Sequence, residues 1–344
     1  MKHKLKIAIF LILIFLASQL IGLAVTASYQ KNFLKKETPA VLPQPQPVTN
    51  ISETPQISNI SVVSEIIPEK IEVKTKFDVL RILISFVIGL VLATIIFIIL
   101  MHVGVIRFMR FWLFFVVVIG LFISLSLLFY EEFPFQIKIG KVSFSVSELF
   151  AFLLAIALAY FKVYKANIIV HNITELLIYP GIVILFLPLL NVIIVIVLLF
   201  LLSVYDFVAV FKTKHMQKMA KFMIKDVKGF SGVMIPYLSV KEKEKLIKLR
   251  AMQMTEKKPK AKKKKIKIKV NLAVLGGGDI AFPMLFSSIV FVTHTIYHSL
   301  FIILFSTIAL TFLLLFGKRG EAYPALPPLA VGGLIGFLLS LLIL

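Results

Sequence analysis

Two carboxylates stand where a chain this apolar has little reason to put them. Asp206 lies in "LLSVYDFVAVF", and Asp279 follows three glycines in "VLGGGDIAFPML". An Asp at the centre of a bilayer costs about 2.5 to 3.5 kcal/mol on insertion scales, so each is either compensated or wanted. Their depths match. Lys212 comes six residues after Asp206, about 9 Å along a helix, and Asp279 comes ten residues after Lys269, about 15 Å if the segment is wholly helical. Two facing carboxylates in a partly dry site share one proton. The ionised member can take a proton from a water while the protonated member polarises a scissile carbonyl. That is peptide hydrolysis without a metal, a cofactor or a nucleophilic side chain. The same pair also suits an ion or proton relay, or a buried polar contact that holds a bundle together. Residue types and depth leave all three readings open. Gly276, Gly277 and Gly278 remove side chains beside Asp279, so another backbone or a substrate can approach, and they ease local unwinding.

The elements that must position these acids are membrane helices. The 344 residues are 59% hydrophobic and 16% charged, a composition that a soluble domain does not need. Nine segments are long enough to cross a hydrocarbon core of about 30 Å: 5–27, 77–101, 106–130, 145–163, 166–187, 189–211, 271–292, 296–316 and 326–344. The expected fold is an all-α polytopic bundle of nine transmembrane helices. It divides into an N-terminal membrane part at 1–187, with five helices and a polar external loop at 28–76, and a sixth helix at 188–211. A basic cytoplasmic loop at 212–270, largely disordered, and three C-terminal helices at 271–344 complete it. The loop at 28–76 is Pro-rich and contains "NIS" twice, a glycosylation acceptor pattern.

Charge sets the orientation. The formal net charge is +21, and 20 of the 38 Lys and Arg fall between Lys212 and Lys269. With the N-terminus cytoplasmic, 29 basic residues lie inside and nine outside, which places the C-terminus outside. A basic loop beside membrane spans reads as an orientation signal and a contact for anionic lipids, and argues against nucleic acid as the partner. The first span, ending in "VTA" at Ala27, also has the pattern of a signal peptide. Its length favours a retained helix. There is no cysteine, which excludes disulfides and thiolate chemistry.

Three motifs separate the readings of the acid pair. They are "YD" at Tyr205–Asp206 in the sixth span, "GGGD" at Gly276–Asp279 in the seventh, and "PAL" at Pro324–Leu326 opening the ninth. Their order, with a long loop between the first two, resembles the presenilin and signal peptide peptidase family of intramembrane aspartyl proteases. The resemblance implies that Asp206 and Asp279 are the catalytic pair. It also implies that Tyr205, Gly276 and Gly278 belong to the motifs, and that Pro324, Ala325 and Leu326 shape the substrate site. It implies no metal and no cofactor, and single-span membrane proteins as substrates. The cytoplasmic basic loop resembles the presenilin-like orientation rather than the inverted signal-peptide-peptidase one, and therefore substrates with N-out, C-in topology. A compact chain with a Lys-rich loop is similar to a microbial or archaeal homologue in a plasma membrane, working without partner subunits and with room for self-association. Prepilin peptidases also use a G-x-G-D aspartate but have fewer spans, and a transporter should show matching repeats.

The remaining features have plainer readings. "PALPPLA" carries three prolines and is expected to be extended, with carbonyls free to pair; the simpler alternative is a helix start with prolines in its first turn. "KIKIKV" at 265–270 alternates with the period of a strand that could pair with an unwound substrate. Glu148 is expected at the interface. Glu175 with His171, Asn172 and Thr174 is expected to form a hydrogen-bonded patch between helices. "GFSG" around Ser231 matches a rhomboid serine motif but is followed by too short an apolar run to span. His294 and His298, four apart at a membrane boundary, read as interfacial rather than as zinc ligands. Gly332 and Gly336 form a G-x-x-x-G, a close helix contact.

Overall fold

An apolar chain in lipid must satisfy its own backbone hydrogen bonds, and helices do so within each segment. The structure, a computed structural model, describes residues 2–34, 76–130, 136–139, 142–165, 167–212, 219, 222–227, 231–237, 242, 271–317 and 323–344. The helices in order are α1 (Lys2–Tyr29), α2 (Lys76–Val103), α3 (Ile106–Phe129), α4 (Val146–Tyr164), α5 (Ile168–Phe186), α6 (Val192–Phe207), α7 (Gly277–Thr293), α8 (Ile296–Phe316) and α9 (Leu326–Ile343). Among the described residues eight helices are long and apolar enough to cross a membrane, and α7 is a shorter apolar helix. The protein is an integral membrane protein of the expected all-α class. Its apolar side chains divide into a buried core and a collar of exposed Leu, Ile, Val and Phe that suits lipid.

Two short hairpins punctuate the bundle. Strands β1 (Gln136–Ile139) and β2 (Val142–Ser145) pair antiparallel just before α4. Strands β3 (Gly232–Tyr237) and β4 (Asn271–Gly276) pair antiparallel, with Gly232 opposite Gly276 and Tyr237 opposite Asn271. The second hairpin corrects the expected seventh span. Its first six residues are strand, and α7 begins only at Gly277. Pairing with β3 takes these backbone groups out of any helix, and Gly276 enters α7 in extended geometry, φ −64° and ψ 147°. The loop expected to be largely disordered therefore contains a strand at 232–237. "KIKIKV" and both "NIS" sites lie outside the described residues.

Helix α7 sits at the centre, in contact with α1, α5, α6, α8 and α9. Small residues allow the close approaches. Ala151, Ala155 and Ala159 of α4 are fully buried at i, i+4 spacing, the helical face of a tight contact. A Cβ on Gly332 would lie 2.7 Å from the Phe305 carbonyl oxygen, and one on Gly336 2.5 Å from that of Phe301. The G-x-x-x-G pair is thus the seam between α8 and α9. Helix α2 is peripheral, with no residue of its most apolar window buried. Phe86 meets Phe186 of α5 edge-on at 6.0 Å.

Candidate active site

Asp206 sits in the last turn of α6, and Asp279 in the first turn of α7. The C-terminal end of one helix and the N-terminal end of the next bring both acids to the same end of the bundle, on helices in contact. With the two helices in contact, the charge of Asp206 falls within electrostatic reach of Asp279. Asp206 is 7% exposed, and its Oδ2 accepts a hydrogen bond from the Leu326 backbone amide at 3.3 Å. Asp279 is the third residue of α7, and its carboxylate accepts from the backbone amide of Gly276, the residue that caps the helix. An acid at this position reaches back naturally to the cap amide. A Cβ on Gly276 would lie 2.9 Å from Asp279 Oδ2, so the glycine makes room for the carboxylate to fold back.

The other motif residues divide. Leu326, Ala325 and Pro324 are buried, and Leu326 is the one whose backbone meets an acid. Tyr205 is on the outer side of α6, its hydroxyl 3.4 Å from Thr94 Oγ1 of α2. Gly278 is exposed, and a Cβ there would meet only Phe282, at 3.4 Å. The extended reading of "PALPPLA" is corrected. Residues 323–325 are irregular, but α9 starts at Leu326 with prolines in its first turn. The Ala325 carbonyl is already taken by the Leu329 amide at 3.3 Å. Proline lacks only an N–H that a first turn leaves unpaired anyway, so Pro327 and Pro328 start the helix instead of preventing it.

On the outer side of the turn that carries Asp206, a cavity of about 340 Å³ opens between α6 and α9, lined by Phe200, Val204, Phe207, Pro327, Ala330 and Val331 among others. Its walls are apolar, and it adjoins the helix turns that carry Asp206 and Leu326.

Behind Asp279 lies a second polar assembly. The expected patch around Glu175 exists, and Lys162 of α4, Tyr179 and Ser231 enlarge it. Lys162 Nζ donates to Glu175 Oε1, and Tyr179 Oη donates to Glu175 Oε2. Both ends of the ion pair are buried. His171 Nε2 lies 2.8 Å from the Gly232 carbonyl oxygen. Asn172 bonds both backbone groups of Met234, donating at 2.9 Å and accepting at 3.0 Å. By the sequence, Lys162 counts among the 29 basic residues of the cytoplasmic side. The signal that could have found the pair is its spacing, two helix ends joined by a short turn, with Lys162 and Glu175 on facing sides. Glu148, expected at the interface, is 4% exposed in the first turn of α4. His294 and His298 have ring centroids 5.3 Å apart, and no cluster of three or more potential metal ligands exists among the described residues.

The sequence matches the family model "Signal-peptide peptidase, presenilin aspartyl protease" over residues 81–344. The chain belongs to that family. Two structures of a presenilin family intramembrane aspartate protease, in C222 and P2 crystal forms, share its fold. The first is 20% identical with a TM-score of 0.55, covering 98% of this chain and 99% of that one. The second is 20% identical with a TM-score of 0.53, covering 97% of each. No curated protein matches the sequence. As a member of the presenilin and signal-peptide-peptidase family, the protein is an intramembrane aspartyl protease acting on transmembrane substrates.

Proposed function

We propose that Asp206 and Asp279 are the two acids of this protease and that each has a distinct task. The observation that carries the reading is the meeting of two carboxylates at one end of touching helices, within electrostatic reach of each other. One carboxylate takes a proton from a water, whose oxygen bonds to the scissile carbonyl carbon. The other, protonated, gives its proton to the carbonyl oxygen. In the collapse the acid that took the water's proton gives it to the amide nitrogen, the C–N bond breaks, and a hydroxyl of the adduct returns a proton to the other carboxylate, which restores the pair to its starting state. The Leu326 amide holds Asp206, and Gly276 holds Asp279. Pro324 and Ala325 set the turn that presents Leu326.

A helical substrate hides its peptide bonds, because the backbone is paired internally and surrounded by side chains. The substrate must unwind near the cut. Its side chains approach through the apolar cavity between α6 and α9, and the outer edge of β4, opposite its pairing with β3, offers backbone groups to the freed strand. The loop that contains β3 faces the cytoplasm and its lysines meet anionic lipid headgroups. Substrates then have N-out, C-in topology, and the enzyme works in a microbial plasma membrane.

Purified protein incubated with single-span substrates, with products read by mass spectrometry, tests the reaction. Cleavage lost in both Asp206→Ala and Asp279→Ala supports the assignment, and full activity in either purified variant sinks it. A single Cys at Ser239 should label from the cytoplasmic side and one at Ser52 from the other. Reversed labelling overturns the orientation and the substrate topology with it.

A further inference from the structure

A buried ion pair is weak evidence for stability, since apolar side chains of the same volume often do as well or better. The Lys162–Glu175 pair therefore calls for another role. Its carboxylate is shared: Oε1 takes Lys162 and Oε2 takes the Tyr179 hydroxyl proton. With that proton committed, the remaining face of Tyr179 Oη can only accept, and Ser231 supplies a hydrogen bond to it. The two hydroxyls then close over one backbone atom. A Cβ on Gly277 would lie 2.7 Å from Ser231 Oγ and 2.9 Å from Tyr179 Oη.

Gly277 is where β4 ends and α7 begins, two residues before Asp279. His171 and Asn172 of the same helix α5 hold β3 at Gly232 and Met234. One helix thus grips the hairpin and the turn that follows it. Tyr179 is itself 2% exposed and lies within electrostatic reach of Asp279. Three successive glycines leave this turn unusually free to rotate, and something outside it must decide where the Asp279 carboxylate points.

We propose that Tyr179, oriented by the Lys162–Glu175 pair, is a positioning residue for Asp279: with Ser231 it clamps Gly277 and sets the first turn of α7. The inference rests on Asp279 being one of the two working acids. A group that acts this way should affect the reacting geometry and not the docking of the substrate helix, because a misplacement near 1 Å costs far more in rate than in binding.

The test compares Tyr179→Phe, Ser231→Gly and Gly277→Ala, singly and combined, in the full-length protein. Tyr179→Phe should lower kcat about tenfold with KM within about twofold, the signature of an interaction realised in the transition state. A hydroxyethylene peptide isostere should bind correspondingly less tightly, while substrate binding and the thermal midpoint stay near wild type. Gly277→Ala should be strongly impaired alone, and should cost less in the Tyr179→Phe/Ser231→Gly background, where both hydroxyls that it meets are gone and only the ring Cε1 of residue 179, at 3.1 Å, remains. Wild-type kcat in Tyr179→Phe, or additive costs in the cycle, overturns the proposal. If Tyr179→Phe folds poorly, the Gly277→Ala and Ser231→Gly pair decides by the same non-additivity. Asp279→Asn is the control. Activity retained there overturns the assignment of the acids, whereas an inactive Asp279→Asn beside a fully active Tyr179→Phe overturns only the clamp.

Discussion

Asp206 and Asp279 stand at the same end of touching helices on opposite kinds of support. Asp206 ends a regular apolar helix, α6, and is held by one backbone amide, that of Leu326. Asp279 begins a helix behind a glycine turn, and α5 and the β3–β4 hairpin stand behind it. A helix of 16 residues already fixes where its last turn points, so Asp206 needs little more. A turn of glycines fixes nothing by itself, so Asp279 depends on distant residues. In the proposed reaction, two equal partners rest on very unequal scaffolding.

The largest effect should come from the acids themselves. Asp206→Asn and Asp279→Asn should each lose at least about 100-fold in kcat, the scale of general acid–base catalysis, and lose it equally despite their different supports. Tenfold more residual activity in one than in the other would break the equality of the pair. Next comes the backing of Asp279. Gly277→Ala forces a methyl into two hydroxyls, and overpacking of this kind costs about 1 to 3 kcal/mol. A fall of tenfold or more in cleavage rate, measured against a single-span substrate, is expected.

The support of Asp206 is slighter and should be felt less. Leu326→Pro removes the one amide donor to Asp206 while keeping a residue that suits a helix start. Hydrogen bonds to charged groups contribute about 1.5 to 3 kcal/mol, but α6 by itself already fixes where Asp206 points. About a fivefold to tenfold loss in kcat is expected, less than for Gly277→Ala; a larger loss would reverse the comparison. The smallest effect lies on the far side of α7. Thr26 of α1 bonds Ser288 of α7 at 3.0 Å, and such interhelical bonds average about 0.6 kcal/mol. Thr26→Val should lower the thermal midpoint slightly and leave kcat unchanged. A clear loss of activity there would show that α7 as a whole, and not its first turn alone, positions Asp279.

Much of this was written in the order of the residues. Each expected span meets a helix, the seventh only from Gly277 on, because a long apolar run in lipid must pair its backbone within itself. The two acids stood out because carboxylates in such runs are costly, and "YD", "GGGD" and "PAL" named the family that the match over residues 81–344 bears out. Gly332 and Gly336 announced a helix seam because their spacing repeats on one face. What the order of residues did not contain was the partner of each local segment. Residues 271–276 are apolar enough for a helix and became a strand because β3, more than 30 residues upstream, lies beside them. "PALPPLA" could start extended or helical, and the choice fell to helix as α9 packed against α8 and its first amide met Asp206. Lys162 counts in the sequence only as a charge of the cytoplasmic side, and α4 and α5, packed side by side, bury it against Glu175. Periodicity and cost are properties of one segment and can be read along the chain. Pairing, burial and the aim of a carboxylate depend on residues far apart in sequence, and only the packed helices bring those together.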